Sequence, residues 1–227
     1  MNDTQFSLVH RVRQPQAAPA VDGEPPPLLL LLHGIGSNED DLYGLAPYLD
    51  ERFLIVSARA PLALGPMAYG WFNIEYTPQG LSADLVQAEQ SYQLLLRFIE
   101  ELAEQYQTGD SGIYLMGFSQ GAMMSLSVAL THPQKVAGVV ALSGRLPTSA
   151  IAHLAAPEDL AGLPVFLAHG TDDFVIPIDF AREARESLAQ IPIELTYREY
   201  RMAHQVSMES LADVRAWLSE RLGEKAS

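Results

Sequence analysis

Cysteine is absent from this chain. Disulfides, thiolate metal sites and a cysteine nucleophile are therefore excluded. Basic charge is scarce, with 14 Lys and Arg against 28 Asp and Glu and a formal net charge of −14. Nucleic acid is a poor partner for such a chain, because phosphate binding needs clustered cations. Long apolar runs are lacking as well. Leu28–Leu32 spans five residues between Pro25-Pro26-Pro27 and His33-Gly34, too short to cross a membrane and too far along for a signal sequence. Without cysteines or a visible signal, the expected location is the cytoplasm. No pair of histidines stands at metal-ligand spacing, so neither a metal nor another cofactor is expected.

What is present suits one globular domain over residues 1–227, with 48% hydrophobic and 19% charged residues. Phe6–Val12 reads as a first strand. Residues 14–27 form a Pro-rich loop holding five of the fifteen prolines. Leu28–Leu32 has the unbroken apolar character of a parallel strand covered on both faces. The glycine-rich loop His33–Gly36 follows, then a helix capped by Ser37 or Asn38 and running to about Tyr48. Phe53–Ser57 is the third strand, and Pro61–Pro78 an irregular aromatic stretch. Ser82 caps a long helix whose apolar stripe includes Leu85, Tyr92, Ile99 and Tyr106 and which Gly109 ends.

Strands at Ile113–Met116, Val136–Leu142, Pro164–Ala168 and Ile193–Tyr200 alternate with helices. One of these begins behind Ser119 and stops at His132-Pro133. Others run from about Asp179 to Ala189 and from about Ser207 to Leu222, and residues 147–162 form a loop with a short helix. Alternation of this kind implies an α/β fold, a mostly parallel sheet with helices on both faces. No insertion is long enough for a large cap domain.

One motif organises the chemistry. Gly117-Phe118-Ser119-Gln120-Gly121 reads G-x-S-x-G, preceded by a strand and followed by a helix, the context of a nucleophile elbow. The pentapeptide alone would arise by chance in roughly one chain of this length in fifteen. Chain order adds specificity. In the α/β-hydrolase arrangement a serine is followed by an acid and then by a histidine. Asp172 and Asp173 lie on a loop directly after a downstream strand, and beyond them the chain holds one histidine, His204. In this order Ser119 is the nucleophile, His204 the general base and one of the two aspartates its orienting acid. An oxyanion needs two backbone N–H donors, one from Gln120 and one from the His33–Gly36 loop.

These segments resemble the small phospholipase/carboxylesterase family of α/β-hydrolases, which includes the acyl-protein thioesterases. Leu-Leu-His33-Gly-Ile-Gly36, Trp71-Phe72, Gly117–Gly121, His169–Pro177 and Met202-Ala-His204 carry the resemblance, which covers nearly the whole chain from Leu28. It implies Asp173 rather than Asp172 as the acid and the N–H of Ile35 as the oxyanion donor partnering Gln120. It also implies Trp71 and Phe72 as walls of an acyl pocket, with plain core packing as the alternative. Ala203, Asn73 and Ala122 depart from the family pattern, and Ala203 could reshape the His204 loop. His33 is read as a brace of the oxyanion loop and His169 as a strand-end packing residue.

The expectation is a serine carboxylesterase acting on small to medium acyl esters through an acyl-enzyme, with a homodimer unsurprising. The alternatives are a thioesterase or lysophospholipase for longer chains, and a non-catalytic ligand-binding protein on the same fold.

Overall fold

The computed structural model describes residues 6–18, 23–77, 80–108 and 112–224. Its centre is a sheet of seven strands: β1 (His10–Arg13), β2 (Leu28–Leu32), β3 (Leu54–Ala58), β8 (Ile113–Phe118), β9 (Gly138–Leu142), β10 (Pro164–Gly170) and β11 (Glu194–Tyr200). They lie in the order β1-β3-β2-β8-β9-β10-β11. All neighbours run parallel except β1, which pairs antiparallel to β3.

The leucine run of β2 explains the layering. Leu28, Leu30 and Leu32 point into one core and Leu29 and Leu31 into the other, and none has exposed surface. Alternation across the pleat sends successive side chains to opposite faces, so a strand covered twice has no polar side. Each such leucine contributes about 1.5–3 kcal/mol relative to an exposed one. The first core is roofed by α2 (Leu85–Tyr106), α3 (Gln120–Thr131) and α6 (Ile178–Leu188). The second is closed by α1 (Glu39–Tyr43) and α7 (Met208–Glu224).

Several boundaries differ from the sequence reading, each for a local reason. The first strand begins at His10 rather than Phe6, because Ser7 leaves the sheet to bond Glu101 of α2 through its N–H and hydroxyl, at 2.7 and 2.9 Å. Asn38 caps α1 by accepting from the N–H of Asp40 at 2.9 Å, but the helix stops at Tyr43. A separate 3-10 turn, Ala46–Tyr48, follows with Pro47 inside it. Asp84, not Ser82, caps α2, its carboxylate accepting from the N–H groups of Val86 and Gln87. Gly109, expected to end that helix, lies outside the described residues.

The stretch expected to be irregular after Pro61 contains two hairpins, β4 (Leu62–Gly65) with β5 (Ala68–Gly70) and β6 (Ile74–Thr77) with β7 (Gly80–Ala83). Strands of three and four residues are too short to show a period. Two short helices, α4 (Thr148–Ala152) and α5 (Pro157–Leu160), occupy the segment read as a loop with one helix. Among the described residues no helix is long and apolar enough to cross a membrane.

Candidate active site

The site forms where strand order reverses, at the C-terminal ends of β2 and β8, the crevice in which open α/β sheets bind ligands. Ser119 sits between β8 and α3 with φ 55° and ψ −117°, a strained conformation for a residue bearing a Cβ. Its N–H donates to the carbonyl of Leu142 at 2.9 Å, holding the turn against β9. Both motif glycines are sterically required. A Cβ on Gly117 would stand 2.2 Å from the carbonyl oxygen of Gly121, and one on Gly121 would stand 1.9 Å from that of Leu32. The strand-turn-helix can close only with hydrogen at those two places.

Ser119 is 6% exposed and its Oγ lies 3.0 Å from Nε2 of His204. On the other side of the ring, Nδ1 is 2.7 Å from Oδ2 of Asp173. A carboxylate can only accept, so Nδ1–H donates to Asp173 and the bare Nε2 accepts from the Ser119 hydroxyl. The Phe118 ring packs on the imidazole, centroids 4.8 Å apart. Asp173 is buried, and its second oxygen accepts from the N–H groups of Val175 and Ile176 at 2.9 and 2.8 Å. Asp172 points to solvent and reaches the His204 loop only through its N–H, bonded to the Met202 carbonyl. Of the two aspartates, Asp173 is the one in contact with the histidine.

The glycine-rich loop lies across the top of Ser119. A Cβ on Gly34 would come within 3.2 Å of the Ser119 Cβ. The His33 ring ties this loop down: Nδ1–H donates to the Gly34 carbonyl at 2.7 Å and Nε2 accepts from the Ala60 N–H at 3.0 Å. Burial pushes the His33 imidazole below its ordinary 6.5, so it stays neutral and can make both bonds. Because C=O and N–H of one trans peptide point opposite ways, anchoring the Gly34 carbonyl turns the Ile35 N–H to the opposite side. Neither the Ile35 nor the Gln120 N–H has a hydrogen-bond partner among the described residues; Gln120 is the first residue of α3, where helix geometry leaves the N–H free.

Trp71 and Phe72, expected as walls of an acyl pocket, are instead core residues, 0% and 3% exposed. Their backbone is clamped by the Gln120 side chain, which accepts from the Trp71 N–H at 3.0 Å and donates to the Phe72 carbonyl at 2.7 Å. The Trp71 indole N–H donates to the His33 carbonyl at 2.9 Å. The pair therefore braces the His33–Gly36 loop rather than lining an opening. This role of the Gln120 amide is not legible in the sequence, where the only hint is a polar residue opening an otherwise apolar helix.

His169 is wholly buried, and its Nε2–H donates to the Ile176 carbonyl at 2.7 Å while standing 3.3 Å from Oδ2 of Asp173. Burial pushes it, too, below its ordinary value. Ala203 leaves the His204 loop intact: it is exposed and does not have a positive φ, so no glycine is needed there. Among the described residues no three His, Asp or Glu gather as a metal site would require. A cavity of about 460 Å³ lined by Ile99, Ala103, Ile113 and Val136 lies at the opposite end of β8, away from Ser119.

With this geometry in place, the comparisons are specific. The sequence pattern of the Phospholipase/Carboxylesterase family matches residues 18–222. Acyl-protein thioesterase 1 of Kluyveromyces lactis is 30% identical over 211 residues, covering 86% of this chain and 92% of that protein. The crystal structure of esterase PE8 superposes with a TM-score of 0.76 at 29% identity, covering 94% of this chain and 98% of the other. A Bacillus cereus carboxylesterase gives a TM-score of 0.79 at 24% identity with 94% of both chains covered, a likeness of fold.

Proposed function

The chain belongs to the phospholipase/carboxylesterase family of ester hydrolases, and from that premise we propose that it is a serine carboxylesterase cleaving small to medium acyl esters through an acyl-enzyme. The observation carrying this reading is the unbroken relay from Ser119 through His204 to the buried Asp173. Nε2 of His204 takes the hydroxyl proton as Ser119 Oγ attacks the ester carbonyl. The carbonyl π electrons move onto oxygen, and the N–H groups of Ile35 and Gln120 receive that oxyanion. As the tetrahedral intermediate collapses, the C–O bond to the alcohol breaks and the imidazolium returns its proton to the leaving oxygen. Water then repeats the sequence on the acyl-enzyme, releasing the acid and restoring Ser119. Asp173 holds the imidazole in the tautomer that presents a bare Nε2 and stabilises the imidazolium.

Small to medium acyl groups are the first reading, because Trp71 and Phe72 are packed in the core and do not line a slot for a long acyl chain. Longer acyl chains are the second reading. Exposed Ile35, Leu64, Met67 and Ile74, on the oxyanion loop and hairpins, and Phe174 and Val175, on the acid loop, offer apolar surface. The relative named acyl-protein thioesterase 1 adds a thioester to the substrates worth testing. Ser119→Ala is expected to lower ethyl ester hydrolysis by about 10⁵-fold or more and to abolish labelling by a fluorophosphonate. Near-wild-type turnover by that variant would sink the serine mechanism. Rates on oxygen and sulfur esters of increasing acyl length separate the two substrate readings.

A further inference from the structure

The half-buried cations of this acidic chain almost all have an ion-pair or hydrogen-bond partner. Arg52 pairs with Asp50, Arg59 with Glu39, Lys135 with Glu100 and Arg221 with Glu194, and Arg13 donates to the carbonyls of Ala46 and Asp50. Arg145 is the exception among the described residues. It is half-buried, has no hydrogen bond or ion pair, and lies with Cζ 3.7 Å from the centre of the Phe180 ring.

Its position is as informative as its lack of an anion. Arg145 follows Gly144, whose added Cβ would come within 3.1 Å of the Ser119 carbonyl oxygen and 3.5 Å of the Met123 nitrogen. Phe180 stands in the first turn of α6, three residues beyond Pro177, where the chain leaves the Asp173 loop. Arg145 thus leaves the chain beside a glycine packed on the nucleophile elbow, and its guanidinium lies on the first turn of α6, directly after the acid loop. Stacking on Phe180 occupies one face of the planar group and leaves its edge, the N–H fork that matches carboxylate and phosphoryl oxygens, free. A net charge of −14 would otherwise repel an anionic substrate.

We propose that Arg145 is a specificity residue that receives an anionic group, carboxylate or phosphoryl, carried by the ester substrate away from the scissile bond. This rests on the esterase reading of the site and narrows its substrate class.

The test compares kcat/KM for monoethyl glutarate, ethyl 4-phosphonobutanoate and the neutral ethyl valerate. Arg145→Ala is expected to lower the anionic-to-neutral ratio by about tenfold or more, with Arg145→Lys recovering part of it as a point charge. Loss on the glutarate ester alone assigns a carboxylate, and loss on the phosphonate alone a phosphoryl group. Arg215→Ala removes the same charge from an exposed position on α7 and is expected to leave the ratio unmoved. An unchanged ratio in a folded Arg145→Ala protein, or an equal fall in Arg215→Ala, overturns the assignment. A wild-type enzyme that cleaves none of the three esters overturns the esterase reading instead. Arg145 is then still tested in the Ser119→Ala background, where monoethyl glutarate should raise Tm and ethyl valerate should not. Loss of that shift in Ser119→Ala/Arg145→Ala supports the site, and its persistence rejects it.

Discussion

Two corners of the site are built on the same dipeptide. His33-Gly34 follows β2 on the proposed oxyanion side, and His169-Gly170 ends β10 on the proposed acid side. Both histidines are wholly buried and both bond a carbonyl of their own loop. Both glycines allow a close approach, Gly34 to the Ser119 Cβ and Gly170 to the carbonyls of Met202 and Ala203 ahead of His204. The difference lies in completeness. His33 uses both ring nitrogens, one to its loop and one to the Ala60 N–H. His169 satisfies only Nε2, and its Nδ1 has no partner among the described residues. The oxyanion corner is thus cross-linked to a second segment, while the acid corner holds its geometry through the backbone bonds of Asp173 and the tight Gly170 contact. A strand-end His-Gly supplies a neutral anchor and a place for close packing; what it positions depends on what crosses it.

The largest effect should come from the acid corner itself. Asp173→Asn keeps the shape but offers the imidazole a donor instead of a carboxylate, and kcat should fall by about 10⁴-fold. The exposed Asp172→Asn should stay within about twofold. Equal losses in the two variants would remove the distinction between the aspartates.

The glycines come next. A Cβ on Gly170 would stand 2.2 Å from the Met202 carbonyl oxygen, so Gly170→Ala must displace the His204 loop, and kcat should drop by about 100-fold. Gly34→Ala meets the Phe118 ring and the Ser119 Cβ at 3.2 Å, a contact small shifts can relieve. Its loss should be about tenfold smaller. Single-turnover rates on a chromogenic ester would read both, and a Gly34→Ala defect as large as that of Gly170→Ala would mean the oxyanion corner is the more sensitive one.

The smallest effect is on stability. Burial lowers the pKa of both imidazoles below 6.5 in the folded chain. The unfolded chain therefore binds protons there that the folded one refuses, so stability is present above that pH and lost as pH falls. Each histidine should cost up to about 1.4 kcal/mol per pH unit below 6.5, or about 3–5 °C in Tm. Melting curves from pH 7.5 to 5.5 should show a flatter slope for His33→Gln and for His169→Gln than for wild type. Slopes unchanged from wild type would mean that the buried rings take up protons in the folded state.

Much of this was readable in advance because it depends on pattern and order. The five-leucine strand shows its double burial in its composition, since no polar face survives. Ser119 and His204 were singled out by the elbow motif and by there being one histidine downstream, and they lie 3.0 Å apart. The two hairpins after Pro61 were not readable, because strands so short have no period and are held by the neighbours they pack on. Trp71 and Phe72 misled for a related reason: an aromatic pair near a site looks the same in sequence whether it lines an opening or fills a core.

Sequence alone determined the alternation of the main strands and helices, the candidates for nucleophile and base, and the double burial of the central strand. These are matters of composition and succession along the chain. The residues by themselves left Asp172 and Asp173 open and the family resemblance favoured Asp173; the tertiary structure brings Asp173 to His204, because neighbours on a turn point in different directions. It also placed Gly34 over Ser119, and it left Arg145 on the face of Phe180 with no anion beside it. Partners distant in sequence create these facts, and no local pattern records who those partners are.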